Sequence, residues 1–377
     1  MVGSALAEPR LILLAAGGTG GHLFPAEALS HALQRRGCVV ELVTDTRVDS
    51  LTKAFPARRV HALPAATPSG KGGLGKGLAL ATLGLGTVKA LALLRRSSPA
   101  AVVGFGGYPT VPPLVAATMR RVRSLLHEQN AVLGRANRFL AGRVDVIATG
   151  FATVGGVGAA LQAKTRHVGN PVRPSVIEAA KTAYDPPRDG GVLRLLVFGG
   201  SQGARIMSDI VPDAIARLSL PERARLQVVQ QARQEDFARV RAAYAEAGVA
   251  ADIAPFFRDL PFHMAQSQLV IGRAGASTVA EISVIGRPSI LVPLPGSLDQ
   301  DQAANAASLA TIGGAIALKQ SEFSPDRLAE TLSQMLSAPA RLADMAAKAR
   351  EAGIPDAAER LADLVCETAR LPAQPQR

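Results

Sequence analysis

The chain contains no tryptophan, three tyrosines and eleven phenylalanines, so aromatics make up only 4% of its 377 residues. Binding of single-stranded nucleic acid relies on aromatic stacking platforms. This composition argues against it, and no nucleic acid is expected as a partner. Cysteine is nearly absent as well. Cys38 and Cys366 are too few and too far apart for a metal cluster or a disulfide framework, and they read as free thiols in a reducing compartment. No run reaches the roughly 18 uninterrupted apolar residues of a membrane span. The nearest, 78–94, is interrupted by Lys89, Gly84 and Gly86. Residues 1–10 lack a basic n-region, and the apolar run 11–16 leads straight into glycines, which reads as a first strand rather than an export signal. These absences point to the cytoplasm.

What is present is a globular composition, with 48% hydrophobic and 19% charged residues, 36 glycines and 25 prolines. At about 150 residues per domain, two large α/β domains are the default expectation. Each can bury a core without staples, and disorder or a coiled coil is excluded. The net charge of +12 is unevenly placed. Residues 1–180 carry 21 Lys/Arg against 8 Asp/Glu, whereas the remainder carries 21 against 22. The basic half therefore points to an anionic surface, and the scarcity of aromatics favours a membrane over nucleic acid.

Strand-like apolar runs alternate with helical stretches in both halves: 11–16, 39–44, 101–104, 124–128 and 144–149, then 193–198, 226–230, 253–256, 269–271 and 289–292. This βαβ rhythm predicts an α/β fold of two doubly wound parallel sheets. Both halves open with a strand that runs into a glycine turn, at 15–22 and at 198–205, an internal echo that indicates two Rossmann-like domains. Two prolines in 169–176 mark the linker. The expected division is 1–170 and 171–354, with a helix at about 355–370 packing back on the first domain. Ligands of such sheets bind beyond the carboxyl ends of the strands, and the gap between domains is the expected site.

Chemistry-bearing residues cluster at those strand ends. Gly17-Gly18-Thr19-Gly20-Gly21-His22 opens a helix whose N–H groups suit an anion. It is not a P-loop, since no GK[ST] follows, and a dinucleotide fingerprint fails because position 23 is Leu. His22 stands at the helix start, where the dipole favours the neutral ring, so it is a candidate base. A tight turn with a capping histidine is the plainer alternative. Ser201, in the second turn, offers a hydroxyl to a phosphate, or else an ordinary N-cap. His127-Glu128-Gln129-Asn130 ends a strand with four polar side chains. In the stretch 273–281, Glu281 lies one turn into a helix, where a carboxylate can accept from a ribose diol or simply favour the dipole. Asp299 and Asp301 spell D-x-D, which raises a divalent cation, although the neighbouring amides suit sugar hydroxyls equally. Residues 70–96 run from glycine-rich to apolar to basic, with Leu almost all round the helix, and read as shallow insertion into an anionic leaflet or as a buried helix after a loop.

Taken together, GGTGGH, GGYPTVPP (106–113), HEQN, GNPVR (169–173), GGSQGAR, RAGASTVAE and DQDQAANA resemble the family of bacterial lipid-intermediate N-acetylglucosaminyltransferases of peptidoglycan synthesis. The resemblance runs from about Leu11 to the C-terminal helices. It implies the GT-B fold and inverting transfer of GlcNAc from UDP-GlcNAc to the C4 hydroxyl of MurNAc in undecaprenyl-pyrophosphoryl-MurNAc-pentapeptide, with no cofactor and no metal. It also implies a peripheral position on the cytoplasmic face of the inner membrane, held through the basic N-terminal domain. On the donor side it assigns Glu281 to the ribose and Phe257 to the uracil edge. Ser201, Arg173 and the helix start Ala276, Ser277 and Thr278 are assigned to the diphosphate, and Asp301, Gln302 and Asn130 to the GlcNAc. Thr19, Gly20 and Gly21 are also assigned to UDP-GlcNAc, and Thr19, His22, Tyr108 and Glu128 surround the acceptor and reaction centre, with His22 as first candidate base and Glu128 as second. The sequence departs from the family pattern in Asp301-Gln302, where two glutamines or His-Gln are frequent, in Ser208, and in an apolar patch without aromatics.

Overall fold

The computed structural model describes residues 10–17, 20–46, 54–68, 72–200, 203–297 and 300–371. The chain divides into two compact units. Unit 1 comprises Met1–Gln129, Leu133–Arg173 and Asp356–Arg377, and unit 2 comprises Asn130–Val132 and Pro174–Pro355.

Unit 1 contains β1 (Leu11–Ala15), α1 (Gly20–Arg35), β2 (Val39–Thr44), β3 (Arg59–Ala62), α2 (Gly73–Ser97), β4 (Ala101–Gly104) and a 3-10 turn (Tyr108–Thr110). It continues with α3 (Val111–Met119), β5 (Arg123–Glu128), α4 (Arg135–Ala141), β6 (Val146–Thr149), α5 (Ala159–Gln162) and β7 (Thr165–His167). Unit 2 contains α6 (Pro174–Ala179), β8 (Leu193–Phe198), α7 (Arg205–Ala216), α8 (Leu220–Arg223), β9 (Leu226–Gln231), α9 (Phe237–Glu246), β10 (Ala250–Ala254) and α10 (Leu260–Gln266). Then follow β11 (Leu269–Gly272), α11 (Ala276–Ile285), β12 (Ser289–Leu291), α12 (Asp301–Thr311), β13 (Ala315–Ala317), α13 (Pro325–Leu336) and α14 (Pro339–Glu351). The last helix, α15 (Ala357–Thr368), belongs to unit 1.

Unit 1 holds a seven-stranded sheet in the order β3-β2-β1-β4-β5-β6-β7, and unit 2 a six-stranded sheet in the order β10-β9-β8-β11-β12-β13. Every pairing is parallel. The central strands are apolar runs buried on both faces, as parallel strands under two helical layers must be. In β1 the pleat divides the labour: Ile12 and Leu14 join the cluster that includes Leu29, Leu33, Leu361 and Val365, while Leu13 and Ala15 face Leu114, Leu126 and Ile147. The strands β3, β7 and β13 escape the sequence reading, and β10 begins at Ala250 rather than 253. All four are sheet edges and are largely half-exposed or exposed, so no continuous apolar run marks them.

A second difference lies in α2. It begins at Gly73 and continues unbroken to Ser97, through Gly77, Gly84, Gly86 and Lys89. By length and composition it is the one helix among the described residues long and apolar enough to cross a membrane, although only 28% of its most apolar window is buried. Gly86 is required by packing, because a Cβ there would collide with the Pro64 carbonyl and crowd Pro112.

Candidate functional site

In both sheets the strand order reverses beside the first strand, between β1 and β4 in unit 1 and between β8 and β11 in unit 2. A crevice opens beyond the carboxyl ends of the strands at such a switch point. The flanking strands end level, Ala15 opposite Gly104 and Phe198 opposite Gly272. Each glycine turn singled out in the sequence falls at one of these two points.

In unit 1 the turn after β1 leads to Gly20 and Gly21 in the first turn of α1. A Cβ at Gly21 would meet nothing within 4 Å, so packing does not demand glycine there. The neighbouring Thr19 lies outside the described residues. His22 sits between the two loops. Cβ atoms built on Gly17, Gly106 and Gly107 would approach its ring at 3.6, 3.3 and 3.5 Å, the last being measured to Nε2. Gly106 and Gly107 have φ of +88° and +72°, a backbone region that suits glycine. Half-buried Tyr108 follows, at the start of the 3-10 turn.

The HEQN segment at the end of β5 is wired inward. His127 is fully buried; its Nε2 lies 3.0 Å from the Gly169 carbonyl oxygen and its ring 5.6 Å from that of Phe105. Burial pushes its pKa down to about 4. Glu128 is also buried, and its Oε2 accepts from the Gly134 N–H at 2.9 Å and from Asn137 Nδ2 at 2.8 Å, at the N-terminus of α4. The Gln129 amide bridges His127 and His22, with Nε2 3.0 Å from His127 Nδ1 and Oε1 3.2 Å from His22 Nδ1. Asn170 donates to the Gln129 carbonyl at 2.8 Å. The first part of 169–176, expected as a linker, is thus anchored to β5. Arg173 stacks its guanidinium 4.7 Å from the ring of Phe24.

In unit 2, the turn after β8 folds Gly199 against Ala204 so closely that no Cβ fits. Ser201 lies outside the described residues. The turn is tied down by the Gly199 N–H donating to Gln231 Oε1 at 3.1 Å. Opposite, α11 begins with half-buried Ala276, Ser277 and Thr278, and Glu281 lies buried one turn further on. Arg273 is a clamp. Its Nη1 donates to the carbonyls of Val292 and Pro293 at 3.1 Å, and its Nη2 donates to Gln320 Oε1 at 2.7 Å.

At the start of α12, Asp301 Oδ1 accepts from the Gln302 N–H at 2.7 Å, and Gln302 Oε1 accepts from the Leu294 N–H at 3.1 Å. Asp299 lies outside the described residues. Asn305, within the DQDQAANA segment, is fully buried. It accepts from the Ala131 N–H at 2.8 Å and donates to Asn130 Oδ1 at 3.0 Å and to the Ala274 carbonyl at 3.1 Å, fixing Asn130 beside the start of α11. Phe257, half-buried after β10, meets His263 edge-on at 4.9 Å. Sequence reasoning missed Asn137 and Asn305 as positioning residues. The signal available was an asparagine on the apolar face of a helix, where burial demands partners. Among the described residues, no three His, Cys, Asp or Glu side chains gather where they could hold a metal ion.

Comparison with known proteins matches the glycosyltransferase family 28 N-terminal domain to residues 12–149 and its C-terminal domain to residues 194–361. A UDP-N-acetylglucosamine–N-acetylmuramyl-(pentapeptide) pyrophosphoryl-undecaprenol N-acetylglucosamine transferase of Methylobacterium sp. (strain 4-46) is 61% identical over 365 residues, covering 97% of this chain and 98% of the relative. The protein of the same name from Rhodopseudomonas palustris is 55% identical, with 97% and 100% covered. The crystal structure of Acinetobacter baumannii MurG superposes with a TM-score of 0.79 at 28% identity, covering 95% of this chain and all of that one. A putative UDP-N-acetylglucosamine 2-epimerase from Listeria monocytogenes, at TM-score 0.64 and 15% identity, shares the fold alone.

Proposed function

This chain belongs to the bacterial UDP-GlcNAc-dependent lipid-intermediate transferases of glycosyltransferase family 28, with the GT-B fold, and from that premise we propose how its residues divide the work. The reaction moves GlcNAc from UDP-GlcNAc to the C4 hydroxyl of MurNAc in undecaprenyl-pyrophosphoryl-MurNAc-pentapeptide, making the lipid-linked disaccharide precursor of peptidoglycan. The observation that carries the division is the repeated device, a glycine turn and a helix N-terminus at the switch point of each sheet.

Unit 2 takes the donor. The backbone N–H groups at Ala276, Ser277 and Thr278, with Ser201 and with Arg173 of unit 1, stabilise the diphosphate as charge develops on it. Glu281 accepts from the ribose hydroxyls, and the backbone at Phe257 reads the uracil edge. Asp301, Gln302 and Asn130 meet the GlcNAc, with Asn130 held for the task by Asn305. Unit 1 takes the acceptor, at Tyr108, while Thr19, Gly20 and Gly21 serve UDP-GlcNAc. The C4 oxygen forms its bond to C1 as the C1–O bond to UDP breaks. The electron pair leaves with UDP, and the hydroxyl proton passes to His22. Glu128 is the lesser candidate for that proton, because its Oε2 is already engaged by the Gly134 N–H and by Asn137 Nδ2.

The membrane surface is engaged through α2. Ala79, Leu83, Gly86, Ala90 and Leu94 face inward. At 3.6 residues per turn, Leu74, Leu78, Leu85 and Val88 lie on the opposite face, and they are 53–95% exposed. Residues 50–127 contain eleven Lys/Arg and no Asp/Glu. An exposed apolar face within an all-cationic stretch suits an anionic leaflet and supports the reading of a peripheral protein on the cytoplasmic face of the inner membrane. The deciding experiment is a transfer assay with UDP-GlcNAc and a lipid-pyrophosphoryl-MurNAc acceptor, run with and without EDTA. Formation of a β-linked disaccharide in both arms supports the reading. An EDTA-sensitive reaction overturns its metal-free part, and absence of product with the MurNAc acceptor overturns the whole.

A further inference from the structure

Hydrogen-bond polarity can be followed through unit 1 from a group with only one role. A carbonyl oxygen accepts and never donates, so His127 Nε2, 3.0 Å from the Gly169 oxygen, carries the hydrogen. His127 is fully buried and neutral near pH 7, its pKa pushed down to about 4 by burial, which leaves Nδ1 as an acceptor. The nearby end of the Gln129 side chain faces two acceptors, that Nδ1 and the His127 carbonyl, each at 3.0 Å. The amide must therefore turn its NH2 toward them, and the assignment of N and O follows from the network. Its Oε1 then points the other way, 3.2 Å from His22 Nδ1. An amide oxygen accepts only, so His22 Nδ1 carries a hydrogen.

We propose that the Gly169–His127–Gln129 chain holds His22 in its Nδ1–H tautomer and so puts the lone pair on Nε2, the nitrogen beside Gly107, which makes Gln129 and His127 positioning residues for the transfer. The proposal deepens the assignment of His22 as base and rests on it for its catalytic meaning, but the tautomer can be read without turnover. The frame is rigid. Asn170 holds the Gln129 carbonyl at 2.8 Å and is packed so closely on Gly150 that no Cβ fits there. When His22 takes a proton on Nε2, the bond from Nδ1 to Gln129 survives, so the same amide oxygen serves both states of the ring.

The test is two-bond 1H–15N correlation NMR at neutral pH on the full chain labelled with 15N-histidine, the His22 signal being assigned by its loss in His22→Gln. The chain has six histidines. Neutral imidazole in water prefers the Nε2–H form, so the expected pattern of Nδ1–H at His22 and Nε2–H at His127 is diagnostic. Nε2–H at His22 in the unaltered protein overturns the proposal. In Gln129→Met, of similar length but with only a weakly accepting thioether in place of the amide, His22 should move toward Nε2–H and kcat should fall by about 10–100-fold, the range for groups that orient a metal-bound histidine, with KM for UDP-GlcNAc little changed. Retention of Nδ1–H in a folded Gln129→Met protein also overturns it. The base assignment fails by a different result, unchanged kcat in His22→Ala.

Discussion

His22 and Glu281 illustrate how two residues with similar sequence credentials separate once their surroundings are known. His22 is ringed by glycines and bonded to an internal amide, whereas Glu281 lies buried one turn into α11. His22→Ala is expected to lower kcat by about 10²–10⁴-fold, the usual worth of a positioned base, while UDP binding by calorimetry stays near normal. Glu281→Ala should show the reverse emphasis, with weakened UDP affinity as its main effect; intact affinity removes it from the ribose. His127 yields a pH prediction. Its pKa falls from 6.5 in the unfolded chain to about 4 in the folded protein, so between those values the unfolded state binds the extra proton. Stability conferred by the neutral buried ring is complete above about pH 6.5 and is lost as pH falls toward 4, by about 3 kcal/mol. Thermal melts of the unaltered protein and of His127→Gln across pH 4–7 should converge at the acid end; parallel curves would show that His127 does not titrate as described.

Among the elements, α2 divides most clearly into a packed face and an exposed apolar face. Its inward face packs on α3 through small residues, and Gly86 lets the helix approach Pro64. Its outward face keeps large apolar side chains in water, where they contribute nothing to the fold. Leu78→Ser with Leu85→Ser is therefore expected to leave the melting temperature almost unchanged. The same pair should weaken co-sedimentation with phosphatidylglycerol vesicles by about tenfold or more per leucine, from about 1.5–3 kcal/mol per buried side chain. Vesicle binding equal to that of the unaltered protein would exclude α2 as the docking element.

At the scale of the whole molecule, the chain enters unit 2 after Arg173 and returns to unit 1 at Asp356. The returning α15 sends Leu361, Ala362 and Val365 into the core beside Leu29 and Leu33. On the surface, Glu359 pairs with Arg35 and Arg36, and Asp363 with Arg36. Surface pairs add little, so the buried side chains decide the contribution. Deleting 356–377 should lower the melting temperature of unit 1 by about 10 °C or more, given the burial per side chain and the size of the unit. An unchanged melt would show that unit 1 is complete without its last helix.

Local pattern by itself determined the α/β rhythm, the two glycine turns and the asymmetric charge, because each is written in neighbouring residues: apolar runs of strand length, glycines where a helix begins, lysines and arginines without carboxylates. It also brought most of the candidate site into view, since that site is assembled from strand ends. The edge strands β3, β7 and β13 stayed hidden, because a half-exposed strand owes its existence to a neighbour's hydrogen bonds rather than to its own hydrophobicity. Tertiary structure alone decided what the polar residues at those strand ends do. Glu128 accepts from Gly134 and Asn137, Arg273 clamps carbonyls, Asn305 holds Asn130, and Gln129 faces His22 with its oxygen. A side chain's partners across the sheet lie far along the chain, and only their geometry determines which atom donates and which accepts.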